Sequence, residues 1–289
     1  MKIGIYVFSG TGNTRFSAEL MKKEFEKQGC TVDLFNIEDF SRKGLIPSPA
    51  EYDIAGFGYP VHAWNAPRNF FEFIGTLPPG GGKKSFVFKS AGDPLLDGGA
   101  TSMVRARLLK RGYEVFHETL FVMPANVMWR YSDEMIKDLI HIAERTAAKS
   151  VTGILKGDTC LQRNGILRRA CSRMFSAGES FGVRRLGRRM KVSDACNNCG
   201  VCVKICPMGN IAPGEKKPVF LKNCVLCVRC IDKCPKDAIT PLFKIFKLKE
   251  RYDIGKIMND PSVSGEVFAN TTKGFFKRYR RYFEKQGVL

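Results

Sequence analysis

The sequence predicts two folded parts: an α/β doubly wound five-stranded parallel sheet, then a small α+β module organised around cysteines. Over residues 1–150, five short β-rich apolar runs alternate with patterns of helical period, which implies a parallel sheet covered by helices on both faces. Between residues 196 and 235 the spacing C-x2-C-x2-C-x3-C-P occurs twice, first as CNNCGVCVKICP and again, 28 positions later, as CVLCVRCIDKCP. A chain of 289 residues, 44% of them hydrophobic, has the length and apolar content for both parts.

KIGIYVF (2–8) reads as a buried strand. The run after it has Phe16, Leu20 and Phe25 near helical spacing, with Gly29 as a stop. Further strands are predicted over 31–37, 52–59, 84–90 and 113–123, and helices at about 66–75, 98–111 and 132–149. Residues 151–189 read as a basic connector; from 161 to 191 the chain sets Arg163, Arg168, Arg169, Arg173, Arg184, Arg185, Arg188, Arg189 and Lys191 against Glu179 alone. The cysteine module is placed at 190–241 and a basic tail at 242–289. In that tail Phe275, Phe276, Tyr279, Tyr282 and Phe283 share one side of a predicted helix, with Lys277, Arg278, Arg280 and Arg281 largely between them. Such a helix is expected to pack on its own protein, a membrane surface or an acidic partner being the other reading.

The net charge of +19 is unevenly spread: residues 1–150 carry 19 basic and 17 acidic side chains, the remainder 28 and 11. The amino terminus lacks a signal-peptide pattern, and no apolar run is long enough to span a bilayer. The expected location is therefore the cytoplasm, where dense cysteines point to metal or redox chemistry and away from disulfides.

Eight of the eleven cysteines fall in the two repeated runs. This spacing turns three thiolates of one loop onto an iron–sulfur cube and sends the fourth to a second cube. On that pattern Cys196, Cys199, Cys202 and Cys234 hold one 4Fe-4S cluster, and Cys224, Cys227, Cys230 and Cys206 the other. Structural zinc is the plainer reading, but its sites pair C-x2-C knuckles across a longer gap and lack the third cysteine and the proline. Residues 190–241 resemble the two-cluster bacterial ferredoxins, with all eight ligands present. Cys30, Cys160 and Cys171 lie outside the pattern, Cys30 being expected as a small buried residue.

The loop after the first strand, VFSGTGNT (7–14), is neither a Walker A loop nor G-x-G-x-x-G, which disfavours a nucleoside triphosphate or NAD. Small residues that open a helix make an anion site. Ser9, Thr11, Gly12, Asn13 and Thr14 resemble, position by position, the phosphate loop of flavodoxins, which implies FMN. Where that fold would place the flavin ring, the third strand is followed by Tyr59, Pro60, His62 and Trp64, with Trp64 the expected stacking partner, and the fourth by Ser90, Ala91, Gly92 and Asp93. The second of these loops has no tyrosine or tryptophan to cover the other ring face, which predicts a face open to a partner or substrate.

The whole chain resembles flavodoxin–ferredoxin fusion proteins of anaerobic prokaryotes. That resemblance implies an electron-transfer protein passing electrons between two 4Fe-4S clusters and FMN, and to or from redox partner proteins. Two other readings are a reductase that uses FMN on a small acceptor, fed by the clusters, and a redox sensor that binds nucleic acid through the basic half. Against the sensor, cluster thiolates and a flavin phosphate add negative charge that basic residues would offset. No catalytic acid or base is assigned, and neither His117 nor His141 is given a function.

Overall fold

The computed structural model describes all residues except 40–46, 63, 96–99, 163–164, 166–171, 173, 175–181 and 249. Arg163, Arg168, Arg169, Cys171, Arg173 and Glu179 lie outside the described residues.

Strand β1 (Lys2–Val7) leads into helix α1 (Asn13–Lys27), followed by β2 (Thr31–Asn36), β3 (Ile54–Pro60), α2 (Arg68–Thr76), β4 (Lys83–Ala91), α3 (Ala100–Lys110), β5 (Tyr113–Val122) and α4 (Asp133–Lys156). The five strands pair in parallel in the order β2-β1-β3-β4-β5, the flavodoxin-like order of a doubly wound sheet. Strand alternation sorts the core. Ile3, Ile5 and Val7 of β1 face Met21 and Phe25 of α1 and Ile140, Ala143 and Ala147 of α4, while Tyr6 goes to the opposite side with Phe57, Phe70, Phe73 and Val104. On β3, Gly56 and Gly58 let the strands and aromatic rings close up: a Cβ at either would lie 2.3 Å from Phe86 Cζ or 2.1 Å from Phe88 Cζ.

Helix α4 runs to Lys156, seven residues past its predicted end, because Val151 and Ile154 continue its buried stripe until Gly157 turns left-handed at φ 77°. The chain then lies beside β5, where Cys160 exchanges backbone hydrogen bonds with Phe116 and Glu118. Cys160 is exposed, and Cys30 is only half-buried.

The cysteine module has two antiparallel ribbons, β6 (Lys191–Val192) with β9 (Ile239–Thr240) and β7 (Ile211–Ala212) with β8 (Val219–Phe220), and two short helices, α5 (Val201–Ile205) and α6 (Arg229–Asp232). Its core is small: Met190, Cys206, Ile211, Phe220, Val228, Ile231 and Ile239. So few buried side chains leave little apolar burial to oppose the chain entropy, and bound clusters would contribute much of the folding energy.

The tail forms α7 (Ile254–Asn259), α8 (Val267–Asn270) and α9 (Lys277–Gln286). Phe268, Tyr279 and Phe283 are buried against Ile136, Leu139 and Ile142 of α4, at about 1.5–3 kcal/mol of burial each. The buried Asp138 carboxylate accepts the Phe268 amide at 2.7 Å. Tyr279 and Phe283 of the predicted amphipathic helix thus face the protein itself. Among the described residues no helix is long and apolar enough to cross a membrane.

Candidate functional site

Strand β1 delivers residues 9–14 to the carboxyl edge of the sheet, where doubly wound folds bind ligands. Gly12 caps α1 at φ 120° with no side-chain bond to the first amides, and a Cβ there would meet nothing within 4 Å. These amides carry the positive end of the helix dipole. The buried Ser9 hydroxyl has no hydrogen-bond partner. Thr14 is turned inward, its hydroxyl 2.7 Å from that of Ser90, which ties the first loop to the end of β4. Asn13 donates to the Pro124 carbonyl at 2.7 Å, and the Tyr252 hydroxyl donates to the same carbonyl at 3.1 Å. Beside the loop lies a cavity of about 680 Å³ lined by Thr11, Gly12, Asn13, Arg15, Lys233 and Arg251, among others. The orphaned hydroxyl and uncapped amides fit a phosphate group, while the cavity's cations are already paired, Arg15 with Glu19, Lys233 with Asp232 and Arg251 with Asp237, and Glu144 and Asp253 line it too.

Other parts of the same chain contact both of the loops expected beside the flavin ring. Tyr59 is fully buried, its ring 4.8 Å from that of Phe70. Pro60 closes β3, partly exposed. Trp64 has a positive φ of 65°, and its carbonyl accepts from the buried Ser172 of the connector at 3.2 Å. His62 is held neutral by burial, which lowers its pKa to about 4, with a hydrogen bond to the Val225 backbone opposing that shift. At the end of β4, Ala91 stays partly exposed. The Gly92 carbonyl accepts two tyrosine hydroxyls, Tyr131 at 2.7 Å and Tyr279 at 2.8 Å. The buried Asp93 carboxylate pairs with Arg278, whose guanidinium also covers the Phe275 ring at 3.6 Å. The loop without an aromatic of its own is therefore tied down by Tyr131, ahead of α4, and by Tyr279 and Arg278 of the tail.

In the module, the repeated spacing is matched by a repeated backbone. Asn198 and Leu226 stand at φ 52° and 48°, Gly200 and Val228 at 72° and 52°, Gly209 and Asp237 at 57° and 47°. Each pair lies 28 residues apart, so both motifs make the same left-handed turns; at the β-branched Val228 that conformation is held by the turn around it. The Asn210, Leu226 and Ala238 amides donate to the sulfurs of Cys206, Cys224 and Cys234 at 3.2, 3.2 and 3.3 Å. Burial pushes the Cys227 thiol up to about 12 and raises Cys224 and Cys230, each raised further by Cys206 nearby. Cys196, Cys199, Cys202 and Cys234 line a second, small cavity with Pro218 and Ile239. Cys196, Cys199, Cys202 and Cys234 thus share one cavity and Cys206 lies near Cys224, Cys227 and Cys230, while among the described residues no three metal-ligating side chains stand close enough together to grip a metal ion as they are placed. Soft thiol donors with amides aimed at the sulfurs fit iron–sulfur clusters, which would hold these buried thiols as thiolates.

The halves meet at Arg229, between ligand positions 227 and 230. Its guanidinium donates to the carbonyls of Ser9, Gly10 at 3.0 Å and Ile205 at 3.1 Å, and to Glu38 at 2.5 Å. A Cβ on Gly10 would sit 2.6 Å from the Cys227 carbonyl oxygen. Val225 enters the sheet's core beside Tyr59 and Phe70, with Cys227 and Met208 packed against it, and Arg68 donates to the Asn223 side chain at 2.7 Å. Sequence reasoning missed Glu38, Arg229 and Tyr252; Arg229 is one basic residue among many and carries no periodic signal.

The model of the 4Fe-4S dicluster domain matches residues 195–239. The ferredoxin of Methanothermococcus thermolithotrophicus is 41% identical over 51 residues, covering 16% of this chain and 85% of that protein. The chain belongs to the dicluster ferredoxins. Its ferredoxin module follows a flavodoxin-like sheet. The ferredoxin-type protein NapH of Haemophilus influenzae is 31% identical over 96 residues, 29% of this chain and 30% of NapH, so the chain spans about a third of that relative's length. Among solved structures, an archaeal flavodoxin is similar at 19% identity and TM-score 0.38, covering 54% of this chain and 99% of its own. Megasphaera elsdenii flavodoxin is similar at 22% identity and TM-score 0.37, covering 52% of this chain and 98% of its own.

Proposed function

We propose that this protein carries electrons between redox partner proteins, through two 4Fe-4S clusters in the ferredoxin module and FMN at the loops that end β1, β3 and β4. When bound, the clusters exchange single electrons and the flavin one or two, which joins one-electron to two-electron chemistry. The observation that carries the reading is the junction: Cys227 packs against Gly10, the second residue of the phosphate-type loop, and Arg229 clamps that loop's carbonyls to the turn between two ligand cysteines.

The residues divide the work. Ser9, Thr11, Gly12 and Asn13 offer hydroxyls and amides to a phosphate. Cys206, Cys224, Cys227 and Cys230 form the set nearest the sheet. Cys196, Cys199, Cys202 and Cys234 form the outer set, at which a partner protein would exchange electrons. The apolar side chains of Val225, Met208 and Tyr59 keep water from the junction, which limits reorganisation when charge moves.

Protein purified without air is expected to hold roughly eight iron and eight sulfide per chain, and to release FMN on denaturation. In stopped flow, a low-potential donor is expected to bleach the cluster absorbance before the flavin band. Zinc in place of iron, or a chain that takes up no FMN, overturns the proposal.

A further inference from the structure

The ferredoxin module, β5 and the tail meet at a surface where large apolar side chains stand in solvent. Met128 and Trp129, beyond the end of β5, are 53% and 36% exposed; Phe243 and Ile245, beyond β9, are 53% and 49%; Phe275, before α9, is 51%. They form one patch. The Met128 amide donates to the Ile245 carbonyl at 2.7 Å, and the Trp129 and Phe275 rings meet edge to face at 6.4 Å. Lys244 lies between Phe243 and Ile245, and Lys273 and Lys277 flank Phe275; all three are exposed, and none makes an ion pair among the described residues.

We propose that this patch docks the protein on an anionic phospholipid bilayer, with Trp129, Phe243, Ile245 and Phe275 entering the headgroup boundary and the lysines meeting lipid phosphates. A contiguous exposed apolar patch marks an interaction site. Tryptophan and phenylalanine beside lysine is the composition that favours a membrane interface, and unpaired lysines complement the negative surface of an anionic leaflet. The apolar side chains stand on three separate segments around the lysines. A fluid bilayer accepts such projections without shaped pockets, whereas a protein partner would need a pocket for each.

This is a different surface from the amphipathic face of α9, whose Tyr279 and Phe283 are buried against α4. It also has a direction. Lys247 donates to the Asp237 carbonyl at 3.1 Å and Arg251 to that of Cys234 at 3.3 Å, so the docking segment is pinned beside the outer cysteine set. Docking would hold that set near the lipid face.

The test is anaerobic flotation of the full chain, cluster absorbance intact, with vesicles of phosphatidylcholine alone or mixed with phosphatidylglycerol. Flotation is expected only with the mixture, and to weaken as salt rises. A variant with Phe243→Ser and Ile245→Ser is expected to partition about tenfold less, and Lys244→Glu several-fold less at low salt. Both positions are exposed, so unchanged cluster absorbance checks that the variants fold. In a Trp64→Phe background, brominated lipid is expected to quench Trp129. Failure to float with anionic vesicles, equal flotation with neutral ones, or variants that float like the parent would each overturn the proposal, as would an acidic protein that binds the patch while vesicles do not.

Discussion

Cys199 and Cys227 occupy the same position of a motif repeated 28 residues apart. Cys199 is exposed, while Cys227 is half-buried against the loop that ends β1. The local turns are alike, down to the left-handed residue before and after each. What separates them is docking: one ligand loop enters the sheet's core through Val225, and the other lines an outer cavity. One spacing thus builds two sites, and their surroundings give one the inward role and the other the outward role in the proposed electron path.

The largest expected effect comes from breaking the two ligand loops separately. Cys199→Ser and Cys227→Ser should each lower iron content by about half, since each removes one ligand of four. Their kinetics should differ. Cys227→Ser should abolish flavin reduction by way of the clusters, and Cys199→Ser should chiefly slow exchange with an external protein donor. Identical stopped-flow traces for the two variants would erase the inward and outward roles.

The junction comes next. Arg229→Ala leaves the Glu38 carboxylate, 12% exposed, without its ion pair and strips three backbone carbonyls of their donor. Breaking a largely buried pair by removing one partner costs about 3–5 kcal/mol, which urea unfolding of the anaerobic protein would register. Arg68→Ala, which removes two hydrogen bonds to Asn223 at the same junction and an ion pair with Glu72, should cost about 1–2 kcal/mol. Gly10→Ala should destabilise by about 1–3 kcal/mol, because its methyl meets the Cys227 backbone. Gly75→Ala, on α2 with nothing within 4 Å, should be neutral or stabilising by up to about 1 kcal/mol.

A smaller effect is expected at the orphaned hydroxyl. Ser9→Ala removes no protein hydrogen bond, so unfolding without flavin should be unchanged, while FMN affinity should fall by about 1 kcal/mol in a fluorescence titration. Smallest is a pH effect in the sheet half, far from any ligand cysteine. Burial lowers the pKa of His117 below the usual 6.5, with its Asp158 carbonyl contact opposing. The unfolded chain therefore binds the proton more readily. The neutral ring's contribution is full above pH 6.5 and is lost as pH falls from there toward the lowered value. Thermal melts should show that slope in the parent, and His117→Gln should flatten it.

The elements of the sheet were legible because their signals are local. Ile3, Ile5 and Val7 alternate with Tyr6, and Phe25 falls on the stripe that α1 buries; neither needs knowledge of a distant residue. The dicluster domain was legible for the same reason, since its repeated cysteine spacing and the repeated turns that go with it are set within a dozen residues. The end of α4 was misplaced because Val151 and Ile154 extend a helical stripe without the density of the preceding turns. Gly92 and Asp93 were expected at a ring edge from their position after β4, and nothing near them in sequence announced Tyr131, Tyr279 and Arg278 as their partners.

From its own residues the chain determined the strand and helix types, the parallel sheet and the repeated cysteine turns, because periodicity and loop spacing act over a few residues. Only the tertiary structure decided which cysteine loop faces the sheet, that Arg229 clamps a loop 219 positions away, and that Tyr131 and the tail's Tyr279 close over Gly92. Those contacts are single hydrogen bonds and side-chain fits between segments far apart in sequence, and they become favourable only after both surfaces have formed.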